Sequence, residues 1–256
     1  MSNMNKTIDV IMPNYNKSKF ISEAIDSVIN QSYKNWKLYI IDDNSHDNSK
    51  KILQGYKKKK KIKIFFLKKN MGPAFCRNYG LKKSKSNFIA FLDSDDYWYK
   101  NKLNLQLNFM LKNKYPFTFT DYIPIFQNKN ILKKFKSTKI EKKFTFEKFI
   151  KNSSINTSTI ILERKRMRNL KFKNLKLMED YIFKCELMRK TNIPFVKFPK
   201  VTAIYRIIQK SRSSKKFLNL FNLWVLNKKY NKLNFLSNLI SLFSISFNSI
   251  KKYGYK

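Results

Sequence analysis

The sequence predicts an α/β fold: a mostly parallel sheet flanked by helices, with a helical extension from residue 213 onward. Three observations carry this. Short apolar runs alternate with helical patterns from residue 7 to residue 96. Polar clusters, acidic in two cases, close three of those runs. After about residue 115 the alternation gives way to mixed elements, and beyond Ser213 to amphipathic helix. The chain has 256 residues, 43% hydrophobic and 16% aromatic, which supplies the core of one large domain and excludes global disorder.

Taken in order, residues 7–12 read as a buried strand ended by Pro13-Asn14-Tyr15-Asn16. Phe20, Ile21, Ala24, Ile25, Val28 and Ile29 recur at helical spacing. Trp36 to Ile41 is a second strand, closed by Asp42-Asp43-Asn44-Ser45, and residues 47–56 read as a helix. Ile62 to Leu67 is a third strand, and Gly72-Pro73 opens a helix running to about Lys85. Asn87 to Leu92 is a fourth strand, closed by Asp93-Ser94-Asp95-Asp96. Such alternation implies parallel strands with right-handed crossovers, and ligands of such sheets bind at the carboxyl ends of the strands. The three closing clusters should therefore converge on one edge. Further on, Phe117–Tyr122 and Ile155–Leu162 read as strands, Met178–Lys190 as a helix, and Phe195–Tyr205 as short strands broken by Pro199. The expected division is a main α/β domain over 1–212 and an extension over 213–256.

The net charge is +39, yet only seven of the 55 basic residues are Arg. Lys, Asn, Ile, Phe and Tyr are abundant together, the mix an AT-rich genome writes at drifting surface positions. Scarce Arg argues against base reading, so nucleic acid is not the expected partner. The more useful reading of the charge is attraction to an anionic membrane surface. Four Gly in the whole chain exclude a P-loop and a glycine-rich dinucleotide turn. Two Cys and one His, His46, exclude a disulfide scaffold and Cys- or His-based metal clusters. The polar N-terminus runs directly into a strand, no run is long enough to span a bilayer, and the cysteines suit a reducing compartment; a cytoplasmic location is expected.

Three of only 16 acids fall within Asp93-Ser94-Asp95-Asp96. Two carboxylates two positions apart in a tight turn can aim at one point, and hard oxygen ligands suit Mg²⁺ or Mn²⁺. A solvated turn or a helix cap is the plainer alternative. Asp43 can cap a helix or accept hydrogen bonds from a nucleoside, with the Tyr15 ring beside it. Arg77, on a helix that starts at Gly72-Pro73, can grip a phosphate or pair with an acid. Glu179-Asp180 can supply a general base whose proton affinity the neighbouring charge raises, or simply favour a helix first turn. Tyr205-Arg206, with Ser211 and Ser213, can close over a phosphate.

In this order and spacing the segments resemble the family 2 glycosyltransferases. The matching stretches are Val10–Asn16, Ile41–Ser45, Asn70-Met71-Gly72 with Ala74 and Arg77-Asn78, Phe91–Asp96, Met178–Tyr181 and Tyr205-Arg206. The resemblance is dense over residues 6–110, thinner to about 213, and absent beyond. It implies the Rossmann-like GT-A fold and a nucleotide-sugar donor, with UDP in the better-known members. By position it implies that Pro13, Tyr15 and Asp43 hold the nucleobase and that Arg77 contacts the nucleotide. Asp93 with Ser94 would reach the ribose and metal region, Asp95 would ligate the divalent cation with Asp93, and Arg206 would close over the donor. Asp180 would be the catalytic base, with Ser158, Thr159 and Glu179 on the acceptor side. One departure is Ile208, where many members carry a His. The implied activity is inverting, metal-dependent transfer to a glycan or lipid-linked acceptor, commonly in surface-polysaccharide or lipopolysaccharide assembly. A non-catalytic nucleotide-sugar binder and, further off, a basic nucleic-acid-binding protein are the alternative classes. For residues 213–256 the expectation is a helix packed on the catalytic domain or loosely docked on an anionic membrane, with Phe217, Leu220, Phe221, Trp224 and Val225 on one face.

Overall fold

A computed structural model of the chain describes residues 6–128, 131–134, 142–208 and 216–253. Four parallel strands form one half of the sheet: β1 (Ile8–Asn14), β2 (Trp36–Asp42), β3 (Ile62–Phe66) and β4 (Phe88–Phe91), in the order β3-β2-β1-β4. Register runs Ile8 to Trp36 and Asn14 to Asp42 between β1 and β2, and Ile8 to Phe88 between β1 and β4. Every residue of β1 and β4 is buried, as expected of strands covered on both faces. Helices α1 (Ile21–Ile29), α2 (Ser49–Tyr56) and α3 (Pro73–Lys83) connect them. The chain steps outward from β1 to β2 and β3, then returns to the other side of β1 with β4. That reversal is where such sheets open a crevice at their carboxyl edge.

α3 packs on β1 and β2. Its Gly80 permits this: a Cβ there would come within 2.5 Å of Ile11 Cγ2. At its N-terminus Gly72 adopts φ 83°, a conformation L side chains rarely take, and Pro73 follows as the first helical residue.

The other half of the sheet is mixed. β9 (Ile161–Glu163) pairs antiparallel with β4 and with β6 (Phe117–Asn128). β10 (Phe195–Ile207) lies parallel to β6, and the two-residue β5 (Tyr97–Trp98) pairs antiparallel with β10 at the edge. β7 (Ile131–Lys134) and β8 (Lys143–Phe144) add short antiparallel pairings to β6 and β10, and α5 (Phe146–Phe149) follows β8. The expected short strands around Pro199 are one strand. Pro199 falls where the register with β6 shifts between Phe198 and Val201, so its missing N–H costs no ladder bond. The expected strand 155–162 is a 3₁₀ turn (Thr157–Thr159) followed by the short β9. Helix α4 (Lys102–Asn113) was not legible in the pattern, because Lys102 and Gln106 lie on its buried face. Lys102 there donates to the Thr159 carbonyl at 3.1 Å and to Gln106 at 2.5 Å.

α6 (Glu179–Thr191) sits across the sheet, with Phe183 stacked 3.9 Å from Phe172 and Phe172 edge-on to Phe91. Beyond residue 215 come α7 (Lys216–Leu226), a π-helical turn at Asn227–Asn231 and α8 (Phe235–Tyr253). These are packed on the domain. Buried Asn227 accepts from Tyr181 Oη at 2.9 Å and donates to Asn238 and Ser241, while Ser241 Oγ donates to the Ile150 carbonyl at 2.5 Å. The expected boundary at 212/213, with Ser211 and Ser213, lies outside the described residues, as does the side chain of Phe217.

Candidate active site

The carboxyl ends of β1, β2 and β4, the first turns of α3 and α6, and the end of β10 surround one cleft of about 700 Å³. Pro13, Tyr15, Asp43, Arg77, Asp93, Ser94, Asp95, Glu179, Asp180 and Arg206 all line it. Tyr15, Asp43 and Asp93 meet there because parallel strands deliver their ends to the same edge, and the first turn of α6 brings Asp180 to them.

A chain of ion pairs runs around the wall. Arg77 is 4% exposed, and its Nη2 lies 2.7 Å from Asp93 Oδ1 while its Nη1 lies 3.1 Å from Glu179 Oε1. The guanidinium rests over the Phe172 ring at 5.4 Å. Burial favours its neutral form, but Asp93 and then Glu179 and Asp180 outweigh this and raise its proton affinity. Arg77 therefore braces the β4 turn against α6. Its neighbour across the turn, Asp95, pairs with Lys17 Nζ at 2.8 Å.

Asp96 is the turn's buried anchor. Its Oδ1 accepts from the Arg206 backbone N–H at 3.0 Å and its Oδ2 from Ser158 Oγ at 2.6 Å. Burial, with Asp95 and Asp93 nearby, pushes its proton affinity well above the usual carboxylate range. Arg206 is also a brace. Its Nη1 donates to the Asp95 carbonyl at 2.8 Å, its Nη2 pairs with Glu23, and its guanidinium lies between the Phe20 and Tyr97 rings at 5.0 and 4.9 Å. Arg206 thus supports the acidic turn while lining the cleft, where the resemblance places it over the donor. Ile208 lines the cleft with an apolar side chain.

Asp180 accepts from Lys184 Nζ at 2.7 Å and from Thr157 Oγ1 at 3.0 Å. Burial alone would raise its proton affinity, but the Lys184 charge and hydrogen bond, then Arg77 and Thr157, hold it well below the usual range. This corrects the expectation that the adjacent carboxylate raises it: Glu179 turns to Arg77, while Lys184, one helical turn on, faces Asp180. Asp43 lines the cleft, yet both its oxygens accept backbone N–H groups, from Met71 at 2.7 Å and Gly72 at 2.8 Å. It fixes the loop before α3. Tyr15, 41% exposed, offers a free ring face beside Pro13.

Ser158 and Thr159 do not reach the cleft. Ser158 Oγ sits between the Asp93 N–H and Asp96, and Thr159 Oγ1 donates to the Asn156 carbonyl. Their neighbours Asn156 and Thr157 line the cleft instead. The pattern also passed over Lys17, Lys184 and Asn219. Nothing separates Lys17 and Lys184 from 46 other lysines, although Lys184 stands four residues after Asp180 on one helix. Asn219 of α7 brings the helical extension into the wall of the cleft.

No group of three or more His, Cys, Asp or Glu able to hold a metal occurs among the described residues. A divalent ion at Asp93 and Asp95 would take its other ligands from a bound diphosphate and water. Two hard carboxylates, compensated by a 28%-exposed Lys17 and by Arg77, fit such a shared ion.

A nucleotide-diphosphate-sized cleft at the carboxyl edge, rimmed by an Asp-Ser-Asp turn and a carboxylate at a helix start, is what a sugar-nucleotide transferase needs. The profile of glycosyl transferase family 2 matches residues 9–190, and the chain belongs to that family. It is 37% identical over 218 residues to the UDP-Glc:alpha-D-GlcNAc-diphosphoundecaprenol beta-1,3-glucosyltransferase WfgD of Escherichia coli, a match covering 85% of this chain and 83% of that one. Staphylococcus aureus TarS 1–349, solved with UDP-GlcNAc, superposes with a TM-score of 0.72 at 21% identity, over 96% of this chain and 73% of that one. The mannosyltransferase PcManGT of Pyrobaculum calidifontis, solved with GDP-Man and Mn²⁺, gives 0.67 at 12% identity, over 97% and 76%. The fold is thus GT-A-like, a mostly parallel sheet flanked by helices with C-terminal helices added.

Proposed function

We propose that the protein is an inverting glycosyltransferase that moves a sugar from a nucleotide donor, a UDP-sugar, to a hydroxyl of a glycan carried on a lipid diphosphate. The observation that supports this best is the meeting of Tyr15, the Asp93–Asp95 turn and Asp180 in one cleft of a family 2 chain. WfgD's acceptor, a diphosphoundecaprenol-linked sugar, supports the lipid-linked class and assembly of a cell-surface polysaccharide. A nucleotide-sugar donor supports a cytoplasmic reaction. Among the described residues no helix is long and apolar enough to cross a membrane.

The Tyr15 ring stacks on the base, with Pro13 flanking it. Asp43 holds the 71–72 backbone against the nucleoside. Asp95 and Asp93 would hold Mn²⁺ or Mg²⁺, which when bound neutralises charge on the leaving diphosphate. For that, Lys17 must swing off Asp95. Asp180, oriented by Thr157 and Lys184, accepts the proton of the acceptor hydroxyl. The hydroxyl oxygen forms its bond to the anomeric carbon as the bond to the diphosphate oxygen breaks, the electron pair leaving with the diphosphate. A carboxylate of low proton affinity stays ionised and takes the proton only as the attacking oxygen becomes positive. Such base help is worth roughly 10²–10⁴ in rate.

The test incubates UDP-sugars with a synthetic lipid-diphosphate sugar, with Mn²⁺ or with EDTA. UDP release that needs acceptor and metal, with an inverted linkage by NMR, is expected. Retained configuration, or turnover unaffected by EDTA, contradicts the scheme.

A further inference from the structure

Helix α8 turns a mixed face inward, with Leu242 and Ile245 against the core. Asn238 and Ser241 are buried against the domain, and Asn248 donates to the Lys151 carbonyl. The opposite side carries Leu236, Ile240, Phe243, Phe247 and Ile250, all exposed, Phe243 at 70% and Phe247 at 68%. Steps of four, three, four and three residues put them within an arc of about 80° on a helix of 3.6 residues per turn. Phe221 and Val225 of α7 are exposed as well, and Trp224 of α7 meets Phe235 of α8 edge-on at 5.5 Å. Of the eleven large apolar residues exposed among the described residues, eight belong to these two helices. A soluble surface does not gather them by chance.

The surrounding charge selects the occupant. From Leu187 to Lys256 the sequence contains no Asp or Glu, and Lys228, Lys229 and Lys232, between the two helices, are exposed or at the surface turn. A second copy of a +39 chain would bring like charges together with no acid to compensate. An anionic lipid surface supplies both the apolar medium and the countercharge. We infer that the outer face of α7 and α8 docks in the plane of an anionic bilayer, lying on the membrane with its apolar stripe among the acyl chains and its lysines at the headgroups. Asn219 on α7 lines the cleft, so docking sets the cleft within about one helix diameter, roughly 10 Å, of the lipid surface. A lipid-anchored diphosphate acceptor would then reach Asp180 without leaving the bilayer. The docking itself stands apart from the transfer chemistry and is read without turnover.

The experiment is flotation of the full chain with vesicles of equal phosphatidylglycerol and phosphatidylcholine, and with phosphatidylcholine alone, beside light scattering of the lipid-free protein. Binding to the anionic vesicles is expected, weakened by roughly 0.5 M salt. Phe243→Ser and Phe247→Ser together should cut it by about tenfold or more while leaving the melting temperature and nucleotide-sugar binding unchanged, because both rings are already in solvent. Unchanged flotation of that variant, or no binding to anionic vesicles, overturns the proposal. So does a lipid-free dimer that the same substitutions dissolve, which would assign the face to self-association.

Discussion

Arg77→Met removes the guanidinium from between Asp93 and Glu179 and keeps an unbranched side chain over Phe172. Glu179 is 4% exposed at its side chain, and in that dry setting it would lose the Arg77 contact at 3.1 Å. Breaking one side of a buried pair costs about 3–5 kcal/mol. Asp93, 32% exposed, adds less than about 1 kcal/mol because solvent screens it. At roughly 2–4 °C per kcal/mol for a chain of this size, Tm should fall by about 6–20 °C. Scanning calorimetry reads this, and adding Glu179→Gln to Arg77→Met should restore part of the loss by removing the charge that Arg77 compensates. A ligand-only Arg77 makes the opposite forecast: unchanged Tm with weakened donor affinity. An Arg77→Met protein melting within about 2 °C of wild type, or no recovery in the double variant, would refute the reading of Arg77 as a brace.

Lys184→Met should move the acid limb of kcat/KM to higher pH. Lys184 is the strongest influence holding the proton affinity of Asp180 down, so its loss lets Asp180 protonate at a higher pH than in wild type. In wild type, the stability that ionised Asp180 contributes is present above its unfolded-state pKa and is lost only as the pH falls through its low folded value; pH–rate profiles with identical acid limbs would contradict this. Tyr15→Ala should weaken binding of a nucleotide sugar by roughly 5–150-fold, the range of one lost stacking contact, and leave Tm within about 1 °C because the ring is largely exposed. Titration calorimetry with UDP-sugars measures it, and undiminished affinity would remove Tyr15 from the donor site.

The parallel half of the fold was legible because buried strands, Gly72-Pro73 and strand-closing acids are each local signals. The convergence of Tyr15 and Asp95 followed from topology, whereas the place of Asp180 beside them came from the resemblance to family 2 glycosyltransferases. What escaped was set by tertiary neighbours. Lys102 and Gln106 bury polar atoms that satisfy the Thr159 carbonyl, so α4 shows no clean apolar stripe. Pro199 reads as a break, but β10 bulges against a continuous β6 and admits it. Arg77, Asp43 and Arg206 carry residue types suited to ligands, and only their partners reveal that they hold backbone and carboxylates in place. Amphipathic periodicity beyond Ser213 does not say which way the α8 stripe faces. Its outward aim follows from Asn227, Asn238 and Ser241 forming a buried polar seam on the other side.

The most direct measurement on the central claim is single-turnover transfer by Asp180→Asn, alongside donor binding by the same protein. Asn keeps the size and can still accept from Thr157, but it cannot take a proton. The account predicts transfer slowed by roughly 10²–10⁴ with donor affinity within about threefold of wild type. Transfer at the wild-type rate with donor bound would show that the proton goes elsewhere and that the cleft does not work as described.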